Sequence, residues 1–244
     1  MTKKLALVIA IALMTASLAS ADNPCIGTNW AQYIALNTAG PGGTAIGCTI
    51  GNLDFSNFSF TAGGTIQEPA SNVGVSIITT PGNEGFTFNP AIVLATPPNA
   101  ANTTEDIELD FTLTALPGTA IDDLGISFNG TVSGTGQTSF SETETGATWA
   151  GCGSPTTCTF AVTNPPVNLG PLEEVFLTPV TTLHITKDIG SSTGAGPGTV
   201  SISQVTNQFS NVPEPRLVSF LAICLLAGLG ISRKSWKSRS ARTS

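Results

Sequence analysis

The sequence predicts an all-β fold, an antiparallel two-sheet sandwich of jelly-roll-like type with one short helix at its N-terminal edge. Three observations lead there. Helical periodicity disappears after Gly47, and ten short runs rich in Val, Ile, Thr and Phe follow, punctuated by Gly, Pro and Asn. Within 106–113, Ile107, Leu109, Phe111 and Leu113 point one way and Asp106, Glu108, Asp110 and Thr112 the other, the pattern of a strand with one face in a core and one in water. The 191 residues from 22 to 212 are enough chain for one sizeable core.

In chain order, Lys3 and Lys4 precede an apolar stretch at 5–18 and the small-residue site Ala19-Ser20-Ala21. This is the layout of a secretory signal peptide over 1–21, cleaved between Ala21 and Asp22. The exported domain then covers 22–211. Asn29 followed by Gln32 forms a capping-box variant, and Trp30, Tyr33 and Ile34 share one face of the short helix that it starts. Candidate strands are 53–61, 73–80, 86–88, 91–95, 106–115, 124–133, 138–145, 156–162, 175–187 and 199–209. Apolar parity switches between Leu53/Phe55 and Phe58/Phe60, which calls for a bulge near Ser56-Asn57. Residues 191–198 read as a loop and 207–212 as a short tether to the C-terminal segment.

Charge is segregated. Residues 22–212 hold fifteen Asp and Glu against one cation, Lys187, and the basic residues lie at the two ends of the chain. Nucleic acid is therefore excluded as a partner, because phosphate binding needs clustered Lys and Arg. Charged residues make up 10% of the chain, against about 25% in ordinary globular proteins. Ser, Thr, Asn and Gly must supply much of the surface.

Cys25, Cys48, Cys152 and Cys158 fall in the exported part, in keeping with an oxidising compartment, and four cysteines allow three pairings. Local pairing is preferred here. Cys25–Cys48 closes about 24 residues and Cys152–Cys158 about 7, worth roughly 3.4 and 2.4 kcal/mol in the chain-entropy picture.

No enzyme activity or cofactor is expected. His184 alternates with Leu183 and Ile185 and should face solvent with the threonines beside it. No His-Glu-x-x-His or Walker A pattern gives it a catalytic setting. Asp106, Glu108 and Asp110 share a strand face, where a calcium ion could bridge them with Asp122 or Asp123; a plain solvated face is the simpler reading, and no metal ligands are assigned. Trp149 and Tyr33 could stack on sugars or pack in the core.

The last segment, 212–244, carries the most specific signal. Val212, Pro213, Glu214 and Pro215 precede an apolar run at 217–232, followed by Arg233, Lys234, Lys237 and Arg239, which would stop transfer. Sixteen residues make a helix of about 24 Å, short for a bilayer but able to cross if Arg216 and Arg233 snorkel. The basic end lies on the cytoplasmic side by the usual Lys/Arg bias. The motif, the span containing Leu226-Ala227-Gly228-Leu229-Gly230 and the basic end resemble the PEP-CTERM sorting signal of Gram-negative bacteria. That resemblance implies handling by an exosortase at the inner membrane, then residence at the cell surface or in the extracellular matrix, often alongside exopolysaccharide and biofilm production. The expected role is structural or adhesive. The alternative is a carbohydrate-binding or calcium-dependent adhesion module.

Overall fold

A computed structural model describes residues 23–97, 101–146, 157–163 and 169–213, with backbone alone at 158, 160, 162–163 and 169–177. The signal peptide with Ala21 and Asp22, Cys152, Trp149, Glu214, Pro215, the apolar run and the basic tail all lie outside the described residues. Among the described residues no helix is long and apolar enough to cross a membrane.

Among the described residues the one α-helix, α1 (Trp30–Ala35), starts at Asn29, whose Oδ1 accepts from the Gln32 backbone N–H at 3.2 Å. Gln32 reaches back one residue further than a standard capping box, its Oε1 accepting from the N–H of Thr28. Twelve strands follow: β1 (Cys48–Ile50), β2 (Leu53–Gly64), β3 (Gly74–Thr80), β4 (Asn83–Asn89), β5 (Ile92–Thr96), β6 (Thr104–Ala115), β7 (Thr119–Gly134), β8 (Gln137–Thr145), β9 (Thr157–Thr163), β10 (Leu169–Val180), β11 (Thr182–Ser192) and β12 (Gly198–Pro213). They form two antiparallel sheets, a jelly-roll-like sandwich. The first runs β1-β2-β6-β11-β8-β9; the second runs β10-β7-β12-β4-β3, with β5 also beside β12.

The alternation in β6 is as the sequence predicts: Ile107, Leu109, Phe111 and Leu113 are fully buried. So is the bulge in β2. Register against β6 slips between Ser56 and Ser59, and Asn57 takes a positive φ of 54°. The extra residue brings Phe55 and Phe58, three apart, onto the same buried side. Asn37 holds it there, donating to the carbonyl of Phe58 and accepting from its N–H at 3.2 Å.

Two expectations are corrected. The run 175–187 is two strands in opposite sheets, β10 pairing with β7 and β11 with β6 and β8, and the chain changes sheets at Thr181. Pro179 has no N–H for a ladder, and the β10–β7 register already slips between Val175 and Val180. Nor is 207–212 a tether. Those residues lie in β12, whose pairing with β7 runs on to Val212↔Ala120 and Pro213↔Thr119. The ladder thus takes in the first two residues of the Val-Pro-Glu-Pro motif.

The core gathers on Trp30. Its ring meets those of Phe58 and Phe88 edge-on at 5.3 Å and lies near Phe86 and Phe111, while its Nε1 donates to the Ser59 carbonyl at 2.7 Å. Helix α1 thereby plugs one opening of the sandwich. Cys25 and Cys48 form a disulfide that ties the segment before the helix to β1. Replacing both with Ser should lower the unfolding free energy by about 2–4 kcal/mol in urea titrations; an unchanged midpoint would mean that the bond does not constrain the unfolded chain.

Candidate functional site: a polar cleft at one end of the first sheet

At the end of the first sheet where β2 and β11 finish and β6 and β8 begin, a cleft of about 450 Å³ opens. Thr104, Asp106, Gln137, Thr138, Ser139 and Ser192 line it with hydroxyls, an amide and a carboxylate, and Glu105 contributes to its wall. Gly190 gives it depth, because it stands between Asp106 and Ser139 in the ladder, on a face where any side chain would fill the gap. A Cβ there would come within 2.3 Å of Ser139 Oγ. Gly64, at φ 91°, closes the β2 side, where a Cβ would strike the Thr104 carbonyl at 2.6 Å.

The cleft sits at the head of an acidic strip. Asp188 lies opposite Glu108 in the ladder and hydrogen-bonds with Asp106; burial, that bond and the charges of Asp106 and Glu108 push its carboxyl up to about 6. Burial also pushes Glu105 up to about 7, with the charge of Glu68 adding to it. Glu105 is 3% exposed, and its Oε1 finds no hydrogen-bond partner among the described residues. Further along, Asp110 is satisfied by protein hydroxyls, accepting from Ser59 and Thr186 at 2.6 Å each. At the cleft, Asp106 bonds with Asp188 and Ser192 Oγ donates to Asn102 Oδ1 at 3.0 Å, whereas the side chains of Gln137 and Ser139 show no hydrogen bond among the described residues.

The fate of the sequence candidates is mixed. His184 is exposed between Thr112 and Thr145, as expected. Tyr33 is buried and unavailable to a sugar, with its hydroxyl donating to the Gly27 carbonyl. Asp122 and Asp123 lie on β7 in the second sheet, so they cannot share a cation with Asp106, Glu108 and Asp110 on β6 in the first. Among the described residues no three His, Cys, Asp or Glu side chains are grouped so as to hold a metal ion.

A second polar cluster, missed by the sequence reasoning, lies between the sheets. Lys187 on β11, Glu142 and Glu144 on β8 and Asn207 on β12 are all fully buried. Lys187 stands directly opposite Glu142 in the ladder and donates to Glu142 Oε2, while the Asn207 amide donates to Glu142 Oε1. The lysine Nζ also lies 5.6 and 5.5 Å from the ring centres of Phe88 and Phe140. Burial pulls the Lys187 amine below its usual range; burial, then the neighbouring Glu142, raises the Glu144 carboxyl far above its own. The signal was present in the sequence: Leu183, Ile185, Lys187 and Ile189 share one parity, and so do Phe140, Glu142 and Glu144.

For Glu105 and Asp188 the folded values exceed the unfolded ones, so over roughly pH 4–7 the folded chain binds more protons than the unfolded chain, and their contribution to stability falls as pH rises through that window. Glu105→Gln should remove its share: the melting temperature should drop less between about pH 5 and 7.5 than in the parent chain. Equal slopes in the two proteins would contradict the assignment.

No family profile and no curated protein matches the chain. Solved structures do, at low similarity. The module TmCBM61, determined with β-1,4-galactotriose, is 12% identical over 64% of this chain and 88% of its own, with a TM-score of 0.28. The enzymatically active domain of bacteriophage CBA120 tailspike protein 4 is 15% identical over 62% of this chain and 19% of its own, at 0.24. TmCBM27, a carbohydrate-binding module recognising mannan, is 12% identical over 65% and 88%, at 0.21.

Proposed function

We propose that the chain is an exported, non-catalytic module that holds polysaccharide at the cell surface or in the extracellular matrix, delivered there by its PEP-CTERM-like signal. The cleft carries the reading. Asp106, Gln137, Ser139 and Ser192 place a carboxylate, an amide and two hydroxyls around a glycine-floored hollow, a set that pairs with the vicinal hydroxyls of a sugar. Its size suits one or two sugar rings better than an extended chain. An acidic strip beside the cleft and a strongly negative domain repel uronate polymers, which leaves neutral glycans as the ligand class. Among the described residues no aromatic side chain lines the hollow, so affinity rests on hydrogen bonds and should be modest.

The delivery half of the proposal rests on the sequence alone: Val212, Pro213, Glu214 and Pro215 for recognition, the run 217–232 for retention and the basic residues from Arg233 for stopping transfer.

Affinity electrophoresis against a panel of neutral and acidic polysaccharides tests the binding. The full chain should be retarded by a neutral polymer, and Asp106→Ala with Gln137→Ala should weaken that at least about tenfold, the loss of two hydrogen bonds including one to a charge. Equal mobility of the parent chain with and without every polymer would sink the reading. For delivery, intact mass from the native host should show a chain that starts at Asp22 and lacks the segment after the motif, and Glu214→Ala should abolish that trimming.

A further inference from the structure

We infer that the buried cluster is the site of an intramolecular isopeptide bond, in which the side chains of Lys187 and Asn207 join and cross-link the two sheets of the sandwich. Four observations carry it.

First, the reactive pair is brought together across the core. Lys187 comes from β11 in the first sheet and Asn207 from β12 in the second. Opposite oxygens of a single carboxylate, that of Glu142, hold the amine and the amide, so the two groups are neighbours. Second, all three side chains are fully buried. Water cannot compete as a nucleophile, and the amine is held in a setting that favours its neutral, nucleophilic form. Third, the Phe88 and Phe140 rings flank the amine and keep the local dielectric low. Fourth, Asn207 Oδ1 has no hydrogen-bond partner among the described residues, although a buried amide oxygen is normally satisfied. Its carbonyl is not committed elsewhere in the fold.

The chemistry balances without oxidant or cofactor. The lone pair of Lys187 Nζ attacks Asn207 Cγ, the Nζ–Cγ bond forms and the Cγ–Nδ2 bond breaks. Glu142 takes a proton from Nζ and passes it to Nδ2, which leaves as ammonia. Glu142 touches both reacting nitrogens and is the catalytic residue. Glu144 is two residues along the same strand face; kept protonated by burial and by Glu142, it adds no second negative charge beside the developing oxyanion. The reaction depends on folding, because only the closed sandwich brings β8, β11 and β12 together.

The sequence supplies an unusually clean test. Lys187 is the sole Lys or Arg between Lys4 and Arg216, so it is the sole trypsin site in that interval. Full-length chain from a recombinant host is reduced, weighed intact and digested under denaturing conditions. The bond predicts a mass short by one ammonia, about 17 Da, and no cleavage after Lys187, leaving the stretch up to Arg216 in one piece. Fragmentation should then show a branch joining residues 187 and 207. Full mass with free cleavage after Lys187 overturns the proposal. So does a loss of ammonia with free cleavage there, which marks a cyclic imide elsewhere. Glu142→Gln should restore both the ammonia and the cleavage while thermal melting remains cooperative; a bond that still forms in that variant overturns the role given to Glu142.

Discussion

Between the two sheets, one amine-bearing side chain has to be reconciled with an interior made largely of Phe, Leu, Ile and Val. Moving such a group out of water costs several kcal/mol, and the cost is recovered only if its partners stand in the right place. Here the partner is directly across the ladder: Lys187 meets Glu142 in register, and Glu142 in turn receives the Asn207 amide from the opposite sheet. The constraint spreads outward. A slip of one residue between β8 and β11 would turn Thr186 and Asp188 inward and leave Glu142 unpaired, with every apolar neighbour on the wrong side as well. Hydrophobic alternation would tolerate several pairings of these Thr-rich strands; the buried polar contacts of Lys187, Glu142 and Asn207 favour one.

The same cluster locates the limits of reading this sequence. Strand β6 was legible because apolar residues alternate with acidic residues and threonine from Asp106 to Leu113, and the bulge in β2 because four apolar residues, Leu53, Phe55, Phe58 and Phe60, change parity within eight positions. The helix start at Asn29 was legible from capping chemistry, and the first disulfide from spacing. The inward course of Lys187 was equally written in the parity of β11, yet a lone cation in an acidic domain reads by default as surface. The corner at Thr181 left a weaker mark, since Val, Leu and Thr continue on both sides of it and only Pro179 warns of a break. The cleft was not legible at all. Its residues come from four strands spread between Gly64 and Ser192, and what makes it hollow is the absence of a side chain at Gly190. Tertiary register alone brings those positions together.

Cleft and core cluster use the same strands for opposite purposes. On β8, Ser139 faces outward toward the hollow while Phe140 and Glu142 face inward; on β11, Gly190 opens outward while Ile189 and Lys187 face the core. Rigidity inside therefore serves the surface outside. Hydrogen-bonding groups in a polar hollow are effective only if they stay in place, and these stand on strands whose inner faces are held by the Lys187–Glu142 contact and by stacked rings, Phe128 against Phe140 at 5.5 Å.

Strand β12 is the longest in its sheet together with β7, lies in the sheet's interior, and pairs with β7 from Gly198 to Pro213. Its C-terminal end, Pro213, is also the last of the described residues. A tug applied at Pro213 pulls along the strand axis, so the ladder resists in shear, with its hydrogen bonds strained side by side instead of opening one after another. Drag on a domain tethered by its C-terminus would thus fall on the part of this fold best arranged to withstand it.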